Sequence, residues 1–298
     1  GRMSGADIDH VVFACNEAFA PHCAAALHSL LAHHPQRRIT VHVLHSGLQD
    51  ATKRALAEVV SGHRHELHLK HVTPESLSEL GSVAEERFTL NAYHRLLAPA
   101  LVDANRALYL DSDLVVLGPL DELFELPLGE TPLAAVPDAS VNRWRELGMT
   151  EGSPYLNSGV LIMNLRVWRA LRLTEQIREF AVSQPQVIKF ADQCAINAVL
   201  DGNWIPLEAR WNRQIALAPQ RWFGGPDPAW PNTRIVHFAG NSKPWLIAEH
   251  PPWKSDYLRH RKATPFSYRW SEDLGLKSVA RWFWRLWLHA YRAIPRAS

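Results

Sequence analysis

The first half of the chain alternates strand-like and helix-like segments, and that rhythm constrains the fold more than any other feature. Ile8 to Ala14 (IDHVVFA) reads as a buried strand. Phe19 to His33 then carries apolar residues at helical spacing. Ile39 to Leu44 is β-branched and partly alternating, hence a second strand. Asp50 to Val60 reads as a helix with Asp50 as its N-cap, and His65 to Val72 alternates again. Leu90 to Ala100 is a helix candidate. Ala107 to Leu110 and Leu114 to Leu117 are apolar runs interrupted by Asp111-Ser112-Asp113. Strands separated by helical crossovers predict an α/β domain with a largely parallel sheet.

The second half is less regular. Gly159 to Met163 reads as a strand and Leu165 to Ala181 as helical. Asp192 is placed to cap a helix running to Leu200. Gln220 to Asn232 is rich in Pro and Gly and reads as loop, and Arg234 to Phe238 as a short strand. Composition excludes several function classes. With 32 basic and 30 acidic residues the net charge is +2, too small an excess for a nucleic-acid partner. Three cysteines (Cys15, Cys23, Cys194) cannot build a disulfide framework and fit a reducing compartment. Residues 1–5 are polar and unlike a secretory leader, and no apolar stretch is long enough to span a bilayer.

The sharpest chemical signal is the acidic pair. Asp111 and Asp113 leave a buried strand two residues apart, which puts both carboxylates on one side of an extended backbone. Two hard oxygen ligands so placed can share one Mg²⁺ or Mn²⁺ and leave positions for a diphosphate. At roughly 5% Asp per position, about one such pair arises by chance in a chain of this length. Asp7-Ile8-Asp9 is the decoy, and the apolar strands on both sides distinguish the copy at 111–113. Phosphatases of the haloacid-dehalogenase type also place Asp-x-Asp after a strand, with the first Asp as nucleophile. Their pair sits near the start of the fold, whereas this one follows a long α/β region.

Six ordered motifs separate these readings. They are Val-Phe-Ala-Cys-Asn-Glu after the first strand, Tyr-His-Arg-Leu around Arg95, and Leu-Tyr-Leu-Asp-Ser-Asp. Tyr-Leu-Asn157-Ser158-Gly159-Val-Leu-Ile-Met-Asn, Ala-Asp192-Gln193 and His237-Phe-Ala-Gly240-Asn-Ser-Lys243-Pro-Trp follow. From about Ile8 to Trp245 the chain resembles the family 8 glycosyltransferases, the retaining group of GT-A fold that includes bacterial lipopolysaccharide galactosyl- and glucosyltransferases. The resemblance implies a Rossmann-like nucleotide-sugar domain over residues 1–250 and a C-terminal helical extension over 251–298. It implies transfer of a hexose, galactose or glucose, from a UDP-sugar to a glycan or lipid-linked saccharide hydroxyl.

The same resemblance assigns residues. Asp111, Asp113 and His237 would hold the Mn²⁺ or Mg²⁺, His237 through a neutral imidazole nitrogen. Ala14, Asn16, Arg95, Asp111, Ser112, Asp138, Asn157, Ser158, Asp192, Gly240 and Lys243 would contact the donor. Gly240 permits close backbone approach to phosphate, and Lys243 supplies a point charge. Gln193 would lie beneath the anomeric carbon, with Asp192 and Asn157 beside the transferred sugar. One departure is visible: where the family often has an acid for uracil and a polar residue for the ribose, this chain has Asn16 and Ala18. A non-catalytic nucleotide-sugar-binding protein is the remaining alternative.

The C-terminal segment adds a possible partner. Lys277, Arg281, Arg285, His289 and Arg292 recur every three or four residues, with Trp282, Phe283, Leu286 and Trp287 between them. A basic, aromatic amphipathic helix over 276–294 predicts contact with an anionic membrane surface, and so a cytoplasmic protein peripheral to the inner face.

Overall fold

The computed structural model describes residues 9–62, 64–73, 90–217, 230–267 and Phe283. The expected strand–helix alternation is present. Strand β1 (Asp9–Cys15) leads to helix α1 (Ala20–Ala32), β2 (Ile39–His45), α2 (Asp50–Val60) and β3 (Glu66–His71). Gln49 occupies the N-cap of α2, and Asp50 sits instead in its first turn, where its charge complements the helix dipole. Leu90–Leu97 is a 3₁₀ helix that passes into a single α-turn, α3 (Ala98–Leu101), so the predicted helix is present but more tightly wound.

β4 (Ala107–Leu110) and β5 (Leu114–Val116) flank the acidic pair, and the short α4 (Asp121–Glu125) follows. β6 (Leu133–Pro137) and β7 (Leu156–Met163) complete the middle of the sheet. The expected helix over 165–181 is two helices, α5 (Leu165–Ala170) and α6 (Leu173–Ser183). Arg172 breaks it by taking a left-handed conformation, φ 52°. α7 (Ala191–Leu200), β8 (Ile205–Pro206), β9 (Arg213–Gln214), β10 (Ile235–His237) and α8 (Lys254–Lys262) end the described elements.

Two sheets result. The larger has the order β3-β2-β1-β4-β7-β6-β8. β3, β2, β1 and β4 run parallel, and β7 is antiparallel to both β4 and β6. Chain order reverses beside β1, and at such a switch point the carboxyl ends of the strands leave a crevice for ligand. Because β7 runs the other way, its amino end, Leu156–Gly159, lies at that crevice with the carboxyl ends of β4 and β6. The smaller sheet, β5-β10-β9, starts where Asp111–Asp113 leaves the larger one.

Both faces of the large sheet are covered. Val12, Tyr109, Leu161 and Ile196 lie in one apolar cluster, and Phe13, Leu27, Leu108 and Ile162 in the other. A third cluster joins Val115 and Val236 of the small sheet, with Phe238 just past β10, to Trp253 and Tyr257. Tyr257 of α8 also hydrogen-bonds the His22 ring of α1 at 2.6 Å.

Candidate active site

Asp111 follows β4, and its backbone N–H donates to the Gly159 carbonyl of β7 at 2.8 Å. Phe238, just past β10, donates its N–H to the Asp113 carbonyl at 2.9 Å. These two backbone bonds set the acidic pair between the sheets. His237 closes the group from β10, its Nε2 lying 3.5 Å from Asp111 Oδ2 and 3.2 Å from Asp113 Oδ1. Two carboxylates and one imidazole thus offer ligand atoms all within 4.8 Å of one another. Lys243 Nζ stands 2.5 Å from the other oxygen of Asp113 and 2.6 Å from the Phe238 carbonyl. Burial by itself would raise the Asp113 carboxyl, but His237 and Lys243 outweigh it and hold the group well below the usual carboxylate range.

The residues fit a divalent cation. Oxygen and imidazole donors suit Mn²⁺ or Mg²⁺. The backbone has also been cleared for the cluster. A Cβ on Gly159 would lie 2.2 Å from His237 Cε1 and 2.9 Å from Asp111 Oδ2. Only glycine lets β7 pass this close. Gly240, at φ 85°, turns the chain after β10 and returns Lys243 to Asp113.

Beside this cluster lies a second polar group. Arg95 is 5% exposed and bridges two acids: Nη2 is 3.1 Å from Asp111 Oδ1, and Nε is 2.7 Å from Asp192 Oδ2. Nη1 donates to the Ser158 carbonyl, and the guanidinium lies over the Tyr109 ring at 4.6 Å. The Tyr109 hydroxyl donates to Asp111 Oδ1 at 2.9 Å, and burial keeps it protonated. Asp192 is not the helix cap its position suggests: it lies inside the first turn of α7, after Phe190 at the N-cap, with its carboxylate aimed at Arg95. Burial, with Asp111 adding to it, pushes the Asp192 carboxyl up to about 7 against the pull of Arg95.

Gln193 joins the same group. Its Oε1 accepts from the Ser158 N–H at 3.0 Å and the Ser158 hydroxyl at 3.3 Å, and its Nε2 faces Asp138 Oδ2 at 3.5 Å. Asp138 is further held by Ser140, whose hydroxyl and N–H both donate to it. The Ser112 hydroxyl donates to the Ala14 carbonyl at 2.7 Å and ties the acidic loop to β1. Asn16 accepts the Phe19 N–H through its side-chain oxygen at 2.9 Å. Ala18 is exposed and offers no polar atom.

The candidate site residues from Ala14 to Lys243 therefore lie at one end of the large sheet or on the elements facing it. Three participants escaped sequence reading. Tyr109 looks like an ordinary strand aromatic. Asn212 and Gln214 sit in a Trp-Asn-Arg-Gln stretch with no motif around them. Their one signal is two amides at i and i+2, on an extended segment too short to recognise. The buried Cys15 hydrogen-bonds Cys23, which with burial raises its thiol, in keeping with a packing role.

A nucleotide-type crevice, an Asp-x-Asp cluster at its switch point and a histidine from a second small sheet define a GT-A glycosyltransferase. The model of Glycosyl transferase family 8 matches residues 10–248, and the chain belongs to that family. It is 28% identical over 281 residues to general stress protein A of Bacillus subtilis (strain 168), spanning 88% of this chain and 96% of that one. It is 23% identical over 278 residues to the lipopolysaccharide 1,3-galactosyltransferase of Salmonella typhimurium, covering 90% and 82%. Among solved structures, galactosyltransferase LgtC in complex with donor and acceptor sugar analogues matches with a TM-score of 0.75 at 23% identity. That match covers 91% of this chain and 99% of the other.

Proposed function

We propose that this glycosyltransferase moves a hexose, galactose or glucose, from a UDP-sugar to a hydroxyl of a glycan or lipid-linked saccharide, with retained anomeric configuration. The observation that carries the proposal is the convergence of Asp111, Asp113 and His237 within 4.8 Å, with Lys243 at its edge. A divalent cation held there would neutralise charge on the departing diphosphate. Lys243 adds a second positive charge to the same leaving group, held in place by Asp113. Asp138, Asn157, Ser158 and Asp192 surround the place of the sugar. They offer matched donors and acceptors, which is how a site rejects a hydroxyl of the wrong configuration.

Gln193 lies among them, and its oxygen already accepts two bonds from Ser158. A neutral amide oxygen so engaged is a poor nucleophile. The reading therefore favours attack by the acceptor on the face the diphosphate leaves, with a diphosphate oxygen taking the hydroxyl proton. Family membership sets aside the phosphatase reading of Asp111.

The donor test is UDP release from a panel of UDP-sugars, with and without Mn²⁺, beside Asp113→Ala. Metal-dependent release from one donor, lost in the variant, is the expected result. Binding of UDP without turnover of any donor would move the protein to the non-catalytic reading. Absence of UDP binding would refute the donor assignment.

The same proposal treats 1–250 as the catalytic domain and gives 251–298 a membrane-facing role through the basic aromatic segment 276–294. That segment lies outside the described residues, Phe283 excepted. Among the described residues no helix is long and apolar enough to cross a membrane. An anionic inner membrane surface would then present a lipid-linked acceptor to a peripheral cytoplasmic enzyme. Deleting 276–298 should release the protein from anionic vesicles and spare donor hydrolysis, and unchanged vesicle binding would refute this part.

A further inference from the structure

His237 is not held by the backbone alone. Its Nδ1 lies 3.1 Å from Asn212 Oδ1. Asn212 Nδ2 lies 2.8 Å from Asn157 Oδ1, and Asn157 Nδ2 lies 3.3 Å from Gln214 Oε1. Gln214 Nε2 in turn lies 3.4 Å from the Pro137 carbonyl. Four side chains from β10, β9, β7 and the residue before β9 thus form one buried relay, ending at the carboxyl end of β6.

The direction of the relay follows from one backbone group. The Gly159 N–H can only donate, and it points at the Asn157 side chain at 3.0 Å. The Asn157 atom it meets must therefore be the oxygen. That same oxygen faces Asn212, so Asn212 must present its NH₂ there. Its own oxygen then faces His237 Nδ1, and an oxygen without hydrogen requires an N–H opposite it. The Pro137 carbonyl, also acceptor-only, fixes the same direction from the other end. His237 consequently carries a hydrogen on Nδ1, which leaves Nε2 as the nitrogen that would ligate a cation held by Asp111 and Asp113.

We propose that Asn212 is a positioning residue for the metal site, selecting the His237 tautomer that can ligate through Nε2, with Asn157 setting the orientation of Asn212. The inference rests on the reading of Asp111, Asp113 and His237 as metal ligands. A hydrogen-bond acceptor behind a ligating imidazole fixes ring and tautomer, and its loss typically costs about 10–100-fold in metal affinity. The relay also joins the ligand to Asn157 on the sugar side, so one network sets both halves of the site.

The test is metal binding rather than turnover. Metal-free protein is titrated with Mn²⁺, and free Mn²⁺ is read by electron paramagnetic resonance. Asn212→Leu keeps the shape and removes the acceptor, and should weaken Mn²⁺ binding by about 10–100-fold. Asn212→Asp restores an acceptor for Nδ1–H but turns its second oxygen to the Asn157 oxygen, and should regain part of that loss. Wild-type affinity in a folded Asn212→Leu protein would overturn the proposal. So would equal weakness in both variants with native circular dichroism. If Asn212→Leu does not fold, the unaltered protein decides. With ¹⁵N-labelled histidine and saturating Mg²⁺, the His237 signals are assigned by their loss in His237→Gln. A hydrogen on Nδ1 and none on Nε2 supports the proposal, and the opposite tautomer overturns it. No binding of Mn²⁺ or Mg²⁺ by the wild type would instead refute the metal reading itself. The labelled spectrum without metal would still overturn the relay if Nδ1 carried no hydrogen.

Discussion

The two sheets meet at one site and are built on different terms. The large sheet has strands of up to eight residues, with an apolar cluster on each face. The small sheet has strands of three, two and three residues. So little backbone pairing cannot hold a strand in place. The small sheet is held by what surrounds it: Trp253 and Tyr257 on one side, and on the other the amides linking His237, Asn212, Asn157 and Gln214. Stability resides in the first sheet, and ligand geometry at the boundary between the two. A cut in one should therefore leave the other's property nearly intact.

The largest effect should come from a substitution deep in the large sheet. Ile162 on β7 is 1% exposed and pairs with Leu108 of β4 and Ala134 of β6, at the end of β7 away from the site. Ile162→Ala should cost about 2–5 kcal/mol in denaturant unfolding. Mn²⁺ affinity should not change at temperatures where the variant is folded. A matching loss of metal affinity would break the division between the sheets.

A smaller effect on stability and a specific one on the site should follow from Gly159→Ala. The added methyl meets His237 Cε1 at 2.2 Å and must push the ring out of the cluster. Overpacking of this kind costs about 1–3 kcal/mol of stability. Mn²⁺ affinity should fall by at least the roughly 10–100-fold seen when a ligand's orientation is lost. Unfolding curves and Mn²⁺ titrations on the same samples check both numbers. A stability loss without a metal defect would show that β7 yields and His237 does not.

The same contrast explains what was legible in the sequence. The seven-residue strands β1 and β2, rich in apolar and β-branched residues, announce themselves by composition, and the α/β layout follows from their alternation with helices. Asp111 and Asp113 were legible because they interrupt such a run. His237, Gly240 and Lys243 were legible only through their order in a motif. Asn212 and Gln214 carry no local signal, because their role is set by partners far along the chain: Asn157 lies fifty-five and fifty-seven positions away respectively. Asp192 carries two readings in the sequence, a local cap and a donor contact implied by its motif; Phe190 holds the cap, and Arg95 from a distant 3₁₀ helix takes the carboxylate. Leu165–Ala181 reads as one helix because helical spacing persists across Arg172 although the backbone does not.

The two regions also differ in how their stability depends on pH. The large sheet and its helices bury histidines in the neutral state: burial first, then nearby positive charge, lowers His42 on β2 and His22 on α1 to about 3. An unfolded chain takes up those protons below the ordinary histidine value of roughly 6.5, so this region loses stability as pH falls. Asp192 acts with the opposite sign. Its folded value of about 7 lies above the ordinary aspartate value of 3.8, so between those limits the folded chain binds the extra proton. Its contribution is present at low pH and lost as pH rises through about 7. Asp192→Asn removes this titration and leaves the histidines unchanged, so the difference between variant and wild type isolates it. That difference should shift in favour of the variant from pH 4 to about 7 and then level off. Denaturant unfolding of both proteins at each pH measures it. A flat difference, or one that turns against the variant, would mean that Arg95 outweighs burial and keeps Asp192 ionised. Arg95 would then hold two full negative charges, on Asp111 and on Asp192, and the boundary between the sheets would gain stability with rising pH just as the large sheet does.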